Sequence, residues 1–132
     1  MMIVNNAQAM PEYTDGYFTL YDIVDVTEES APDFPIKKIQ ERKFGGESAP
    51  IWFRQLAVYD RTRAVLEQTV KEVTMKIRIP LFKEISSNCV CVIDGVQHKV
   101  FNKADVLSRQ NIPETELTLI APEQTYEVHH AD

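Results

Sequence analysis

Residues 89–101 read CVCVIDGVQHKVF, in which two apolar runs flank an Asp-Gly pair. An Asp-Gly pair between such runs is the strongest short-range signal for a hairpin, because both central residues of a type I′ turn need positive φ. The sequence therefore predicts two antiparallel strands joined at Asp94 and Gly95. In that register the facing pairs are Ile93 and Val96, Cys91 and His98, and Cys89 and Val100.

Four further segments show the alternation of apolar and polar residues that is typical of strands. They are residues 17–26 (YFTLYDIVDV), 51–60 (IWFRQLAVYD), 70–79 (VKEVTMKIRI) and 115–121 (TELTLIA). Residues 36–44 are short and charged, and fit either a strand or an ordered loop arm. The pattern predicts a mostly β fold, a small antiparallel β-barrel or sandwich of five to six strands. We expect the core or a permanent interface to include Trp52, Val73, Met75, Ile77, Val92 and Val100.

The rest of the chain predicts one short helix and two terminal segments. Residues 61–68 (RTRAVLEQ) contain helix formers behind a possible N-cap at Asp60, enough for one or two helical turns. Residues 1–16 have weak periodicity broken by Pro11 and Gly16, which predicts a flexible N-terminal arm. A single β-barrel domain then spans residues 17–122, and a polar C-terminal tail spans residues 123–132.

Charge is segregated along this chain of net charge -6. Residues 1–35 carry seven acids and no Lys or Arg, residues 36–84 eleven bases and six acids, and residues 85–132 three bases and seven acids. Such blocks can guide contacts between copies of one chain, unless they intermix on folding. An acidic chain disfavours nucleic-acid recognition. The apolar runs are too short to span a membrane and the start has no secretory signal, so we expect a protein made in the cytoplasm.

The best metal candidates are Cys89, Cys91 and His98 on one face of the hairpin, completed by His129 or His130. Side chains two residues apart on a strand are about 7 Å apart, which is wider than two sulfurs on tetrahedral zinc usually allow. Core packing of two small thiols and a partly buried histidine is the favoured interpretation. The sequence also contains no GxSxG, P-loop, HExxH or glycine-rich dinucleotide turn. We therefore expect a non-enzymatic protein with no cofactor and no metal.

The order of elements over a little more than half the chain carries a family resemblance. A tryptophan-bearing strand leads into the Arg-, Ala- and Glu-containing segment, and an alternating strand with a basic residue near its end follows. The Asp-Gly hairpin and a T-x-L-T-L strand complete the order. These elements are residues 51–59, 61–68, 73–79, 92–100 and 115–119. They resemble the head-completion, or stopper, proteins that join head to tail in long-tailed bacteriophages. The acidic start of this chain departs from the family's short basic entry strand.

The resemblance implies a structural virion protein made in the bacterial cytoplasm and located at the head–tail interface. Such β-barrels add as a ring beneath the portal and adaptor after DNA packaging, close the channel and dock the tail. The implied partners are further copies of the chain, the phage adaptor or portal protein and tail proteins, with no membrane and no sequence-specific nucleic acid. Alternatives are another neck or tail-terminator component, or a non-phage β-barrel module that binds proteins.

The resemblance also points to one loop. In some relatives the connection after the tryptophan strand lies toward the channel and helps to block it. The corresponding channel or inter-subunit loop in this sequence comprises Asp60, Arg61, Thr62, Arg63, Ala64, Val65, Leu66, Glu67, Gln68 and Thr69. An ordinary surface connection is the alternative for this segment.

Overall fold

A computed structural model of the protein describes residues 12–57 and 73–130, and the regular structure of these residues consists of seven β-strands. The strands are β1 (Gly16–Asp25), β2 (Lys37–Glu41), β3 (Ile51–Leu56), β4 (Val73–Pro80), β5 (Cys89–Ile93), β6 (Val96–Leu107) and β7 (Pro113–Ile120). Residues 36–44, which fitted a strand or a loop arm, contain β2. Within the described ranges there is no helix, and the helical stretch predicted over residues 61–68 lies outside them.

Strand β1 closes the sheet into a barrel because it pairs on both of its edges. Its residues 16–18 pair with β3, and its residues 19–22 pair with β5. The strand order β1-β3-β4-β7-β6-β5 therefore returns to β1, with all neighbours antiparallel. The remaining strand, β2, pairs with residues 21–25 of β1. The prediction of a mostly β antiparallel barrel is confirmed, with six strands in the closed barrel and one extra strand beside it.

The β5–β6 hairpin has the predicted register. Ile93 lies opposite Val96, and Cys91 lies opposite His98. Asp94 and Gly95 have φ of 50° and 78°, so both central residues adopt the positive φ that a type I′ turn requires. The long β6 then pairs with β7 as far as Leu107 opposite Pro113.

Inward side chains from all six barrel strands form the core, together with Ile85 from the connection between β4 and β5. This cluster consists of Phe18, Leu20, Phe53, Ile77, Ile79, Ile85, Cys89, Cys91, Ile93, Val100, Leu117 and Leu119. Of the predicted core residues, Val73, Ile77 and Val100 are buried and Met75 and Val92 are half-buried. Trp52 is not part of the core, since it is 50% exposed, and the other option predicted for it, a permanent interface, stays a prediction. The physical reason is that Phe53 takes the inward position on β3, which turns its neighbour outward.

Gly16 lets β1 begin against the ring of Phe53. A Cβ on residue 16 would lie 2.8 Å from Cζ of Phe53, which is closer than a side chain tolerates. The segment before it is also attached to β3. The backbone N–H of Asp15 donates to the carbonyl of Phe53 at 3.1 Å, and the carboxylate of Asp15 accepts from the N–H of Gln55 at 2.7 Å.

The C-terminal segment adds to the outer edge of β2. The N–H of Ile39 donates to the carbonyl of Glu127 at 2.9 Å, and the N–H of His129 donates to the carbonyl of Ile39 at 2.7 Å. These bonds form a parallel bridge between Ile39 and Val128. Part of the stretch predicted as a polar tail is thus paired with the sheet, because the free edge of β2 offers backbone groups to it.

Candidate protein-docking surface

The outer wall formed by β3, β4 and β7 carries a network of charged side chains centred on Glu114. This side chain is fully buried, although it points away from the barrel core. Its carboxylate accepts from Tyr13 Oη at 2.7 Å and from Arg54 Nη2 at 2.9 and 3.0 Å. Arg78 Nη1 lies 3.3 Å from the same carboxylate. A buried carboxylate with several donors is stable in its charged form, so the network holds these side chains in fixed positions.

The ionisation of this network follows from its contacts. Burial alone would raise the pKa of Glu114, but hydrogen bonds from Tyr13 and Arg54 and the nearby guanidinium charges outweigh it, and the pKa lies below its usual value. Burial and the adjacent carboxylate raise the pKa of Tyr13 to about 12. At neutral pH the phenol is therefore protonated and donates to a charged carboxylate.

The ion pairs continue along the wall. Arg78 Nη2 lies 2.8 Å from Glu116, and Lys76 Nζ lies 3.4 Å from the same carboxylate. Arg78 and Glu116 are opposite each other in the β4–β7 register, so they project from the same face of the sheet. The sequence already carried this signal, since the polar positions of the two alternating strands hold bases on β4 and acids on β7.

A groove of about 740 Å³ opens over this network. Its lining includes Glu12, from the segment before β1, and residues 107–110, from the end of β6 and the connection to β7. Four cationic side chains and two leucines line it: Arg54, Lys76, Arg78, Arg109, Leu56 and Leu107. Apolar surface mixed with Arg side chains is typical of protein interfaces.

An exposed aromatic pair lies beside the groove on the same outer face. Tyr17 and Trp52 are opposite each other in the β1–β3 register, and their ring centroids are 5.0 Å apart. The side chains are 52% and 50% exposed. Because Trp52 and Arg54 are two residues apart on β3, the aromatic pair and the charged network share one face. Tyr, Trp and Arg are the residues that dominate binding energy at interfaces.

A second charged cluster lies where β1 meets β5. Arg42 Nε donates to Asp22 at 2.8 Å, and Arg42 Nη2 contacts the same carboxylate. The hydrogen bond from Arg42, which is the largest effect, holds the pKa of Asp22 below its usual value. Cys89 Sγ lies 3.4 Å from Asp22, and burial raises the pKa of this thiol. The arrangement keeps Cys89 protonated, which makes it unreactive as a nucleophile.

The other candidates for chemistry are the thiols and the imidazole of the β5–β6 hairpin. Cys89 and Cys91 are free, buried thiols, and burial also raises the pKa of Cys91. His98 Nδ1 lies 2.8 Å from Thr74 Oγ1, and burial lowers the pKa of this imidazole. In residues 12–57 and 73–130, no group of three or more His, Cys, Asp or Glu side chains is placed to hold a metal ion.

The predicted channel loop, residues 60–69, lies outside the described residues. Its flanks are nevertheless placed: β3 ends at Leu56 and β4 begins at Val73, at the barrel end that also holds the Asp94-Gly95 turn. The three charge blocks partly intermix on folding. Arg54 and Arg78 of the middle block pair with Glu114 of the third, while Arg42 pairs with Asp22 of the first.

Comparisons of the chain with models of known protein families, with curated proteins and with solved structures found no match. In the part of the chain that the structure describes, no helix is long and apolar enough to cross a membrane.

Proposed function

We propose that this chain is a structural protein of the head–tail connector of a long-tailed bacteriophage, where it closes the portal channel after DNA packaging and docks the tail. The observation that carries the proposal is the outer wall of the barrel, on which the exposed Tyr17–Trp52 pair borders a groove lined by four cationic side chains. Such a wall suits a contact with another protein better than the binding of a small molecule. The order of strands along the sequence supports the choice of family.

The closed barrel supports an assembly role for a second reason. The six barrel strands pair on both edges, and the edge of β2 is bridged by the C-terminal segment at Ile39, which leaves little room for strand addition between copies. Side chains on the outer wall offer the contact surface instead, and there an ion network around Glu114 holds Arg54 and Arg78 in place. A preordered surface loses little conformational entropy on association, which favours repeated, specific contacts in a particle.

The channel-closing element of the proposal is the connection between β3 and β4, which contains residues 60–69. The end of β3 pairs with β4 through Leu56 and Lys76, and the start of β4 pairs with β7 through Val73 and Ile120. The barrel therefore gives this connection a rigid base, an arrangement that suits a functional loop.

Deletion of the gene from the phage or prophage that encodes the chain tests the proposal. Electron microscopy of the particles should show heads that have packaged DNA but lose it, together with free tails, and supply of the wild-type chain from a plasmid should restore tailed particles. Full, tailed and infectious particles from the deletion would refute the connector role. Heads that keep their DNA with tails of abnormal length would instead indicate a tail-terminator.

A further inference from the structure

The connection between β1 and β2 is an ordered, acidic projection, which we call the finger (residues 26–36). It contains Glu28, Glu29 and Asp33, and no Lys or Arg occurs before Lys37. The side chain of Phe34 within it is 73% exposed, the highest exposure among the large hydrophobic side chains that the structure describes. Burial of this ring against a partner surface would remove apolar area from water, so the finger offers a side chain that can contribute to a contact.

Hydrogen bonds hold the finger in one shape. At its base, the N–H of Val26 donates to the carbonyl of Ile36 at 2.9 Å, and the N–H of Ile36 donates to Thr27 Oγ1 at 2.9 Å. Within it, the N–H of Ala31 donates to the carbonyl of Glu28, and the N–H of Phe34 donates to the carbonyl of Ala31, both at 3.1 Å. Prolines on either side of Asp33–Phe34 restrict the backbone further. The aromatic ring is thus presented by a preformed loop, which lowers the entropic cost of binding.

The groove on the β3–β4–β7 wall complements the finger. Its volume of about 740 Å³ exceeds that of a phenylalanine side chain, and Leu56 and Leu107 give it apolar surface. Arg109 lies on its exposed rim, and three more cations line its walls, against the acids Glu12 and Glu116. Glu114 pairs with Arg54 and Arg78 and is the third acid of this surface. Four cations thus stand against three acids, which leaves an excess of one positive charge. The acidic residues of the finger complement that excess.

The finger and the groove belong to different parts of the barrel. Around the closed barrel, β1 and β7 are separated by two strands in either direction, by β3 and β4 on one side and by β5 and β6 on the other. The finger follows the end of β1, whereas the groove lies on the wall formed by β3, β4 and β7, so the two are separate surfaces and the finger is available to a second copy. A contact between them repeats head to tail, as a ring requires.

We propose that the finger of one copy docks into the groove of a second copy, with Phe34 between Leu56 and Leu107 and the acids of the finger against Arg109 and its neighbours. As the contact between subunits of a connector ring, this docking rests on the proposed function. The docking itself is measured on the purified protein, so its outcome does not depend on whether the connector role is correct.

Two variants that each destroy one surface test the docking. Phe34→Ser removes the aromatic contact of the finger and leaves the groove intact, while Arg109→Glu reverses the charge at the groove rim and leaves the finger intact. Both residues are exposed, so each variant should fold, which circular dichroism and thermal melts check. Matched controls are Phe101→Ser and Lys43→Glu, exposed positions that belong to neither surface.

Sedimentation velocity of the full chain measures the association. Wild type and both controls should associate increasingly up to about 1 mM, the range of weak contacts between proteins. Each single variant should lose at least about 30-fold in association constant, the loss expected at an interface hot spot. A mixture of the two variants should form a heterodimer and no larger species, because it contains one intact finger opposite one intact groove.

Three results would overturn the docking: a wild type that stays monomeric to that concentration, a Phe34→Ser variant that associates like wild type, or a variant mixture that remains monomeric. None of these results bears on particle assembly, which the gene deletion measures. If the chain does not self-associate in sedimentation velocity but is needed for tailed particles, the docking alone is refuted. A chain that docks in solution but is dispensable for particles would refute the connector role alone.

Discussion

Tyr13 donates its phenolic hydroxyl to Glu114 at 2.7 Å, although 101 residues separate the two in sequence. The bond connects the segment before β1 to the start of β7, and it completes the set of donors around a fully buried carboxylate. The order of the outer wall therefore depends on residues at both ends of the chain.

Tyr13→Phe should destabilise the protein by about 1–2 kcal/mol, because it removes one hydrogen bond to a charged acceptor and little else. Urea melts measure the loss in free energy of unfolding. The pKa of Tyr13 is raised to about 12, so its contribution is complete below pH 10 and disappears as pH rises through about 12. Tyr17→Phe, at an exposed tyrosine, is the matched control and should change stability by less than about 0.5 kcal/mol. Equal losses in both variants would contradict the role of the bond.

Glu114→Gln should cost about 1.5–3 kcal/mol at neutral pH, because two guanidinium groups lose their shared anion. The folded pKa of Glu114 lies below its unfolded value. The charge therefore stabilises the fold above the unfolded pKa, and this contribution is lost as pH falls through the lower folded pKa. The difference between wild type and variant, measured by denaturant melts from pH 7 to pH 3, should shrink on the acidic side. A difference that is constant across that range would mean that the charge of Glu114 does not stabilise the fold.

Ile77→Ala should destabilise the barrel by about 2–5 kcal/mol, since the side chain is fully buried and its loss leaves a cavity. Val96→Ala at a 55% exposed position is the control and should cost only a few tenths of a kcal/mol. Thermal and urea melts compare the two. A loss of similar size at both positions would contradict the inward orientation of the Ile77 side chain on β4.

The period-two alternation predicted the strands and most of the core because burial of one sheet face is a local property of each strand. It placed Ile77 and Val100 correctly and fixed the turn at Asp94-Gly95. It failed at Trp52, since both faces of β3 are largely apolar and the pattern cannot say which one turns inward. Closure of the barrel through β1 could not be predicted either, because it depends on pairing between strands far apart in the sequence.

Much of the docking surface escaped prediction for a related reason. The bases of β4 and the acids of β7 occupy outward positions in the sequence, but only the β4–β7 register brings Arg78 opposite Glu116. The burial of Glu114 depends on Tyr13, from a segment predicted as a flexible arm. The two prolines and several acids around Phe34 indicated a solvent-exposed loop, but not that its phenylalanine would be exposed. Residues 60–69 were chosen by resemblance, and their role stays a prediction.

Replacement of residues 61–68 by a Gly/Ser linker of equal length should leave the isolated domain folded, because β3 and β4 pair directly through residues outside that segment. Circular dichroism and melts check the fold. A phage that carries this change should package DNA but fail to retain it or to join tails, as scored by electron microscopy and plaque counts. Normal plaque yield from the variant would mean that the segment is only a connection.

The most direct measurement of the connector role is a reconstruction of the neck, by electron cryomicroscopy, in tailed particles purified from the phage or prophage that encodes the chain. The account predicts a ring of closed six-stranded barrels between portal and tail, with the β3–β4 connections directed at the channel. Complete, DNA-filled tailed particles in which this chain is absent from the neck would contradict it.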